Sequence, residues 1–238
     1  MIRLSGQNLW KSDLLRILQT NFYGDHNLGL FGKASDRFCL LGNVQEKTKQ
    51  KIEEVLKVNV IKASTVNTDL IGVFCCFNSN GILLPKILTR TESENFKKLK
   101  KEFGMNLEIL KSKFTAIGNL VLCNDKGAVV SKLFSKTDKK KIEDCLGVES
   151  DYCSIAGIHT VGSTGIASNK GCVLHRDANE REVEIIEQVL KVQTDIGTAN
   201  FGSPFVGSCC FANTSGAVIG ESSTGPEINR IMEILELI

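Results

Sequence analysis

The sequence predicts an α+β fold built from five consecutive β-β-α-β repeats, and three observations support it. A stretch of fifteen residues, represented by IGNLVLCNDKGAVVS at 117–131, recurs five times without a gap. A helical pattern follows each copy, and a short strand-like segment follows most of the helices. The copies begin at Leu28, Ile71, Ile117, Val161 and Val206. Recurrence with a period of tens of residues is typical of repeat architectures.

Each copy opens with an apolar residue and then a glycine. These glycines are 43, 46, 44 and 45 residues apart, so one repeat spans about 45 residues. They are Gly29, Gly72, Gly118, Gly162 and Gly207. A unit of this size cannot bury a core alone, and no linker rich in Pro, Gly or Ser interrupts the series. We therefore expect a single domain.

A polar turn divides each copy into two apolar runs. In repeat three the turn is NDKG at 124–127, and the turns of repeats two, four and five also end in glycine. Two apolar runs around such a turn predict a β-hairpin, in which the last glycine would supply a positive φ. Repeat one has Phe38 in place of that glycine, which predicts a different turn there.

Apolar residues spaced by three and four predict one helix after each hairpin. The segments are 45–56, 94–101, 137–146, 179–190 and 227–237, and the second, rich in lysine, has the weakest pattern. Either Asp177 or Asn179 is suited to cap the fourth helix, and Pro226 is suited to the first turn of the fifth. The segments 58–60 and 107–109 then predict short third strands.

Residues 1–20 precede the first repeat, and we expect them to form an N-terminal extension to a domain spanning 21–238. The repeats run over about 21–62, 63–112, 113–153, 154–195 and 196–238. The apolar residues of the extension include Leu9, Trp10, Leu14, Leu15 and Leu18. They would line one face of a short helix, which either packs on the domain or frays.

Composition and charge are those of an ordinary soluble protein, with 42% hydrophobic and 24% charged residues. No apolar run approaches the roughly 20 residues of a membrane span, and no signal peptide is visible. We therefore expect a cytoplasmic protein with no membrane partner. The net charge of +2 is too small to indicate a nucleic-acid partner by itself, and we expect no DNA partner.

Nine cysteines is a high count, but no C-x-x-C pair suggests zinc or thioredoxin chemistry. In the aligned repeats, Cys39 and Cys172 stand where other copies have Ile or Ala, and Cys123 stands where others have Phe or Ala. We expect these thiols to behave as small core hydrophobes. We expect neither a metal nor another cofactor.

Two lysine runs, within 97–101 and at 139–141, fall on predicted helices. Each run is either a solvated helix face or a contact with RNA, and the pattern leaves both open. No aromatic residues interleave with them, as a platform for stacking single strands would require.

Three segments of the sequence resemble segments of a known family. They are TAIGNLVLCNDKGAVVS at 115–131, VGSTGIASNKGCVLH at 161–175 and GSCCFANTSGAVIGESSTGPE at 207–227. In order and spacing they resemble the translation initiation factor 6 family, and more closely its archaeal form, which lacks the longer tail of eukaryotic members. The resemblance covers about 21–238. The family's first repeat begins near the N-terminus, so residues 1–20 depart from its pattern.

The resemblance implies the pentein fold, in which five β-β-α-β units surround a pseudo-fivefold axis with the helices outside. It also implies binding to the intersubunit face of the large ribosomal subunit. The protein would contact a ribosomal protein near the sarcin–ricin loop there, together with any rRNA that lies close enough. Bound there, the protein would block joining of the small subunit and serve translation initiation and ribosome biogenesis. The resemblance implies no catalysed reaction and no cofactor, and we expect a monomer.

Matching positions in repeats two to four suggest where that contact lies. They point to the strand and turn residues Val73, Asn78, Asn119, Ser163, Thr164 and Asn169. Asn78 and Asn169 have a competing structural explanation, since a tight turn favours Asn or Ser at those positions. Asn119 is the better candidate, because its counterparts in the other repeats are Leu, Val and Ser, so a strand does not demand an amide there.

Two alternatives remain open. Guanidine-modifying enzymes share the pentein fold and join a nucleophilic cysteine, a histidine and two carboxylates at the central channel. Here the candidates are His26, His159, His175 and the pair Cys209–Cys210. The first strands carry no paired acids, which disfavours catalysis. The other alternative is an interaction scaffold that does not bind ribosomes.

Overall fold

The computed structural model describes residues 16–238, which form five three-stranded sheets. Strand β1 (Ile17–Thr20) belongs to the sheet of repeat five. The other strands are, repeat by repeat, β2 (Gly32–Ala34), β3 (Phe38–Leu41) and β4 (Asn59–Lys62); β5 (Cys76–Phe77), β6 (Gly81–Pro85) and β7 (Asn106–Leu110); β8 (Val121–Cys123), β9 (Ala128–Ser131) and β10 (Ser150–Cys153); β11 (Gly165–Ala167), β12 (Gly171–His175) and β13 (Gln193–Gly197); β14 (Cys210–Ala212) and β15 (Ala217–Gly220).

Each sheet has the same topology. The middle strand pairs antiparallel with the first strand of its hairpin and parallel with a third strand, which follows the helix in repeats one to four and is β1 in repeat five. In repeat three, Cys123 of β8 faces Ala128 of β9, and Val129 of β9 faces Asp151 of β10. The predicted hairpins, third strands and α+β class are confirmed, and the five small sheets have the repetition of the pentein fold.

The helices of the described chain are α1 (Glu46–Leu56), α2 (Ile71–Phe74), α3 (Arg90–Phe103), α4 (Ile117–Leu120), α5 (Lys136–Leu146), α6 (Val161–Thr164), α7 (Glu180–Leu190), α8 (Val206–Cys209) and α9 (Gly225–Ile234). The long ones, α1, α3, α5, α7 and α9, follow the hairpins as predicted. The short ones are single helical turns that open repeats two to five, and a 3-10 turn at Leu28–Leu30 opens repeat one. The prediction that these turns, Asn119 included, belong to the first strand is wrong.

Capping explains where the long helices begin. Thr89 accepts a hydrogen bond from the Glu92 N–H, and Glu92 accepts one from the Thr89 N–H, so α3 starts four residues before its predicted start. Asn179, rather than Asp177, caps α7 in the same way. Pro226 lies in the first turn of α9, as predicted.

The glycines that open each copy close the ring of repeats. A Cβ atom built on Gly118 would overlap the carbonyl oxygen of Gly72 and lie 2.5 Å from that of Cys75. The same overlap joins Gly72 to Gly29, Gly29 to Gly207, Gly207 to Gly162 and Gly162 to Gly118. Each opening turn therefore touches the backbone of its neighbour, and the fifth repeat returns to the first. Only glycine permits backbones to approach this closely.

Glycine is required at the end of the hairpin turns for a different reason from the one expected. Gly127 has no positive φ, but a Cβ there would overlap the Val189 carbonyl of the next repeat's helix. In repeat one the expected different turn is wrong, because Ser35 N donates to Phe38 O at 3.0 Å as the other turns do. Phe38 instead stacks on Phe77, with ring centroids 4.9 Å apart, and contacts Phe103 of α3 with centroids 4.8 Å apart.

The N-terminal boundary of the domain lies earlier than the sequence indicated. Residues 17–20, assigned to the extension, form β1, which pairs in parallel with β15 from Ile17 opposite Ala217 to Thr20 opposite Gly220. The fifth sheet therefore takes its third strand from the start of the chain. The helix expected over the apolar residues 9–18 falls mostly outside the described residues, and its last member, Leu18, lies in this strand.

The core of the described chain consists of five clusters, and each is shared between two neighbouring repeats. Val55 and Leu56 of α1 are fully buried in a cluster that also contains Val218 from repeat five. Cys39 and Cys172 are buried, as expected of small core residues. Within residues 16–238, no helix combines the length and apolar character that crossing a bilayer requires.

The lysine run at 139–141 lies on the outer face of α5 and is paired with acids. Lys139 contacts Glu143 at 2.7 Å, and Lys140 contacts Asp144 at 3.0 Å. This arrangement favours the solvated helix face over an RNA contact. The lysines within 97–101 are exposed on α3, and their interpretation stays open.

Candidate functional site

The axis of the ring has two chemically different ends. At the end we call the glycine end, the residues that follow the opening glycines surround the axis: Leu30, Val73, Asn119, Ser163 and Ser208. At the opposite end, the turn end, the second residues of the hairpin turns surround it: Asp36, Ser79, Asp125, Asn169 and Thr214. The residues suggested as a binding site divide between these ends.

At the turn end, the first turn residue ties its repeat to the next one. Asn78 is only 2% exposed. Its Oδ1 accepts from the backbone of its own turn, at 2.9 Å from Asn80 N and 3.1 Å from Gly81 N. Its Nδ2 donates across the interface to Asn124 O at 3.1 Å and Leu146 O at 2.9 Å. All four hydrogen-bonding positions of the amide are used, so its role is structural.

The second turn residues form a polar network around the axis. Asn169 Nδ2 donates to Asp36 at 2.7 Å and to Asp125 at 2.6 Å, and its Oδ1 accepts from Asp125 N at 2.8 Å. Asp125 also accepts from Ser79 Oγ at 2.8 Å, and Asp36 accepts from Thr214 Oγ1 at 2.9 Å. The predicted residue Asn169 is therefore held by internal partners.

The glycine end differs in its central polar group. Asn119 and Val73 are half-buried, and within residues 16–238 the Asn119 side-chain amide has no hydrogen-bond partner. Ser163 is 8% exposed and donates to Thr160 O at 2.8 Å, while Thr164 is fully buried and also donates to Thr160 O. Of the six predicted residues, Val73 and Asn119 are thus the two that offer surface at one common end.

Loops between repeats, and loops from each middle strand to its helix, form the rim of the glycine end. In repeats two to four this rim carries exposed basic residues: Lys86, Lys111, Lys113, Lys132 and Arg176. In repeats five and one it carries exposed aromatic residues. Tyr23 is 70% exposed and Phe201 83%. Both have φ near +60°, a strained conformation for a bulky side chain.

The sequence analysis missed these two aromatic residues. The available signal was the turn chemistry around them, since Phe22-Tyr23-Gly24-Asp25 and Asn200-Phe201-Gly202 come shortly before the opening turns of repeats one and five. Both turns close by backbone hydrogen bonds, for example Phe22 N to Asp25 O at 2.9 Å. Strained backbone conformations such as these cluster at functional sites, so both aromatic residues are candidates for contact with a partner.

Comparison with known proteins decides the family. The family model described as "eIF-6 family" matches residues 17–234. Translation initiation factor 6 of Pyrococcus abyssi is 45% identical over 227 residues, covering 94% of this chain and all of the relative. The Methanococcus vannielii protein of the same name is 44% identical, and that of Pyrococcus horikoshii 42%, each covering 93% of this chain and 99% of the relative.

The chain belongs to the eIF-6 family. The resemblance found in the sequence is confirmed, and the match begins at residue 17, where β1 begins. The names of these eIF-6 relatives support a role in translation initiation. They are names of a factor rather than of an enzyme.

The residues that an enzyme of this fold would need have other contacts in this eIF-6 member. His175 accepts from Asp177 N–H at 3.2 Å and its ring lies edge-on to Phe205, with centroids 5.5 Å apart. Burial raises the pKa of Cys209 and raises that of Cys210 well above its usual value, which disfavours a thiolate at either position. Among residues 16–238, His175 has no hydrogen bond to a cysteine.

Proposed function

We propose that this protein binds the intersubunit face of the large ribosomal subunit through its glycine end and blocks joining of the small subunit. In the cytoplasm this would serve both initiation and ribosome maturation. The observation that carries the proposal is the Asn119 amide. It lies at the centre of an exposed end with no partner in the described chain, whereas the turn-end amides of Asn78 and Asn169 are satisfied internally.

Unpaired polar groups at the centre of a surface favour a partner that supplies the missing bonds. A hydrogen bond to such an amide contributes about 0.5–1.5 kcal/mol to stability in proteins, and losses on substitution at the centre of an interface often exceed 1 kcal/mol. Val73 adjoins Asn119 through the contact of their opening turns, α2 and α4. Together they form a small mixed patch suited to a ribosomal protein near the sarcin–ricin loop.

The rim supplies two further kinds of contact. Its basic side, which includes Lys86, Lys132 and Arg176, is suited to rRNA phosphates. Its aromatic side, with Tyr23 and Phe201, is suited to a protein surface. The net charge of +2 is small. We therefore expect the basic side to increase the association rate, while the centre and the aromatic side provide most of the affinity.

Blocking subunit joining requires a rigid body in the right place and no bond-making chemistry. The closed contacts among Gly29, Gly72, Gly118, Gly162 and Gly207 supply that rigidity. A standard interface buries about 800 Å² on each partner. One end of a ring this size can provide that area while the rest of the molecule occupies the volume that the small subunit would need.

Sucrose-gradient sedimentation tests the proposal. Purified protein is added to separated ribosomal subunits and to joined ribosomes. We expect it to travel with free large subunits, to be absent from small subunits and joined ribosomes, and to reduce the joined fraction when added before the subunits are mixed. Sedimentation at the top of the gradient at every salt concentration would contradict the proposal and favour a scaffold that does not bind ribosomes.

A further inference from the structure

Two thiols from different repeats touch near the axis. Cys76 lies on β5 of repeat two and Cys123 on β8 of repeat three, and their Sγ atoms are 3.4 Å apart. Cys76 Sγ is 3.7 Å from Val121 O, and Cys123 Sγ is 3.4 Å from Phe77 O. Each thiol is thus held against the backbone of the other repeat. No other two cysteine sulfurs of the described chain are in hydrogen-bond contact.

One of the two sulfurs can be reached from the axis. Cys123 is partly exposed and lines both axial cavities, which are small, about 30 and 20 Å³, and open to solvent. Cys76 is fully buried directly behind it. A small oxidant that enters the cavity would therefore meet Cys123 first, and the second thiol would already be in contact with the product.

The charge around the pair favours ionisation of one thiol. The hydrogen bond between the two sulfurs lowers the pKa of Cys76 and raises that of Cys123 well above its usual value. The ammonium group of Lys33 donates to Gly118 O at 3.1 Å, and its positive charge acts to lower the pKa of both thiols. A nearby cation and a shared proton are typical of thiols that react as thiolates.

We infer that Cys76 and Cys123 are a redox modification site, oxidised by hydroperoxide to a disulfide that joins repeats two and three. In the first step, the Cys123 proton passes to the ionised Cys76 sulfur as the Cys123 sulfur attacks the peroxide; the O–O bond breaks, Cys123 becomes a sulfenic acid, and the released hydroxide takes up a proton and leaves as water. In the second, the Cys76 sulfur displaces the hydroxyl group, the S–S bond forms, and a second water leaves. Two electrons pass from the two sulfurs to the peroxide.

The site differs from the packing role expected of the other cysteines. The position of Cys123 is filled by Ala34, Ala167 and Ala212 in repeats one, four and five, so a thiol is not needed for packing. Cys172 provides a matched control. It is fully buried, it has no sulfur in contact, and Ala128 and Ala217 occupy its position in repeats three and five.

The test treats the reduced, purified chain with hydrogen peroxide, alkylates the remaining thiols under denaturing conditions, and digests with trypsin without reduction. The wild type and Cys172→Ala should both yield peptide 63–86 joined to peptide 114–126, two hydrogens lighter than their sum. Fragment ions should place the bond at Cys76 rather than Cys75. Before digestion, the wild type should lose two of its nine thiols.

Cys123→Ala, an alanine found at that position in other repeats, should give no linked peptide and retain Cys76 as a thiol. Oxidation of Cys123 to a sulfinic acid without a link would overturn the inference, as would a link through Cys75 or an unchanged thiol count. The outcome is independent of ribosome binding, because the readout is the covalent state of the free protein.

Discussion

The two ends of the axis are built from the same fifteen residues, copied five times, yet they differ in how their polar groups are used. At the turn end, Asn78 and Asn124 donate across repeat interfaces to carbonyls that would otherwise end helices unpaired. At the glycine end, Asn119 has no such partner within residues 16–238. The repeated hydrogen bonds therefore stabilise the ring, whereas the polar side chain that does not take part in them lies on the surface available to a partner.

This comparison separates two kinds of asparagine that look alike in sequence. A side chain that saturates its hydrogen bonds inside the ring contributes to stability, and its loss should leave binding unchanged in the molecules that stay folded. A side chain without internal partners can be changed at little cost in stability, and its loss should appear in binding alone. The predictions below are ordered by the size of the effect expected.

The largest effect is expected where backbones meet. Gly118→Ala places a methyl group on the carbonyl oxygen of Gly72 and 2.5 Å from that of Cys75, so the opening turns must separate. Overpacking of this kind lowers the free energy of unfolding by about 1–3 kcal/mol and sometimes more. Because the contact here is with backbone atoms, we expect a loss at the upper end of this range. Urea unfolding monitored by circular dichroism measures it.

Gly225→Ala is the matched control for this substitution. Gly225 begins α9 and has no atom within 4 Å of a built Cβ, so alanine should be neutral or slightly stabilising. Equal losses for both variants would show that glycine content, rather than closure of the ring, determines stability.

A smaller loss is expected at the turn end. Asn124→Ala removes donors to Ser168 O at 3.0 Å and Leu190 O at 2.9 Å, together with the acceptor for Lys126 N and Gly127 N. Leaving such buried groups unpaired costs about 1–3 kcal/mol. The midpoint of urea unfolding should fall, while affinity for the large subunit, measured with folded protein, should not.

Asn124→Ser makes this prediction sharper, because Ser168 occupies the same position in repeat four and caps its own turn from Lys170 N and Gly171 N. Serine should restore the turn but not the bonds to the next repeat, and so recover part of the lost stability. If serine and alanine destabilise equally, the turn itself is not supported by this side chain.

Two carboxylates, Glu92 which is buried and Glu227 which is half-buried, hold loops of the glycine end and predict sensitivity to acid. Burial raises the pKa of Glu92 and of Glu227, but hydrogen bonds from Thr89 and Asn67, and from Thr224 and Gly202, outweigh burial and lower the pKa of both. A lowered pKa means that the unfolded chain binds protons first. Their contribution is therefore present above about pH 5 and is lost as pH falls through the folded pKa.

Glu92→Gln measures this contribution. At pH 7 the variant should be less stable than the wild type by about 1–2 kcal/mol, because hydrogen bonds to a charged acceptor are stronger than those to a neutral one. The difference should shrink in urea titrations carried out at successively lower pH. A difference that stays constant down to pH 3 would assign the effect to packing instead of charge.

Local patterns were sufficient to predict the hairpins, the long helices and the fivefold repetition, because each is determined within one repeat. The family resemblance then gave the pentein arrangement. The short turn Ile71–Phe74 was missed because four apolar residues have too little length to show a helical or strand period. Strand β1 was missed for a different reason, since its partner β15 lies some 200 residues away along the chain.

The candidate site could be predicted only in part. Matching positions suggested Val73 and Asn119, which offer surface at the glycine end, and also Asn78 and Thr164, which are buried. Whether an asparagine faces a neighbouring carbonyl or solvent depends on how the ring closes, which a single repeat does not show. The same holds for Phe38, whose neighbour Phe77 belongs to the next repeat.

Affinity of Asn119→Arg for free large ribosomal subunits tests the central claim most directly. Its matched control is Asn80→Arg, the same substitution at an exposed position of the turn end. We predict that Asn119→Arg weakens binding by about 1–3 kcal/mol and leaves the free energy of unfolding unchanged. Asn80→Arg should bind large subunits as tightly as the wild type does. Unchanged binding of Asn119→Arg, or an equal loss for Asn80→Arg, would contradict the assignment of the glycine end as the docking surface.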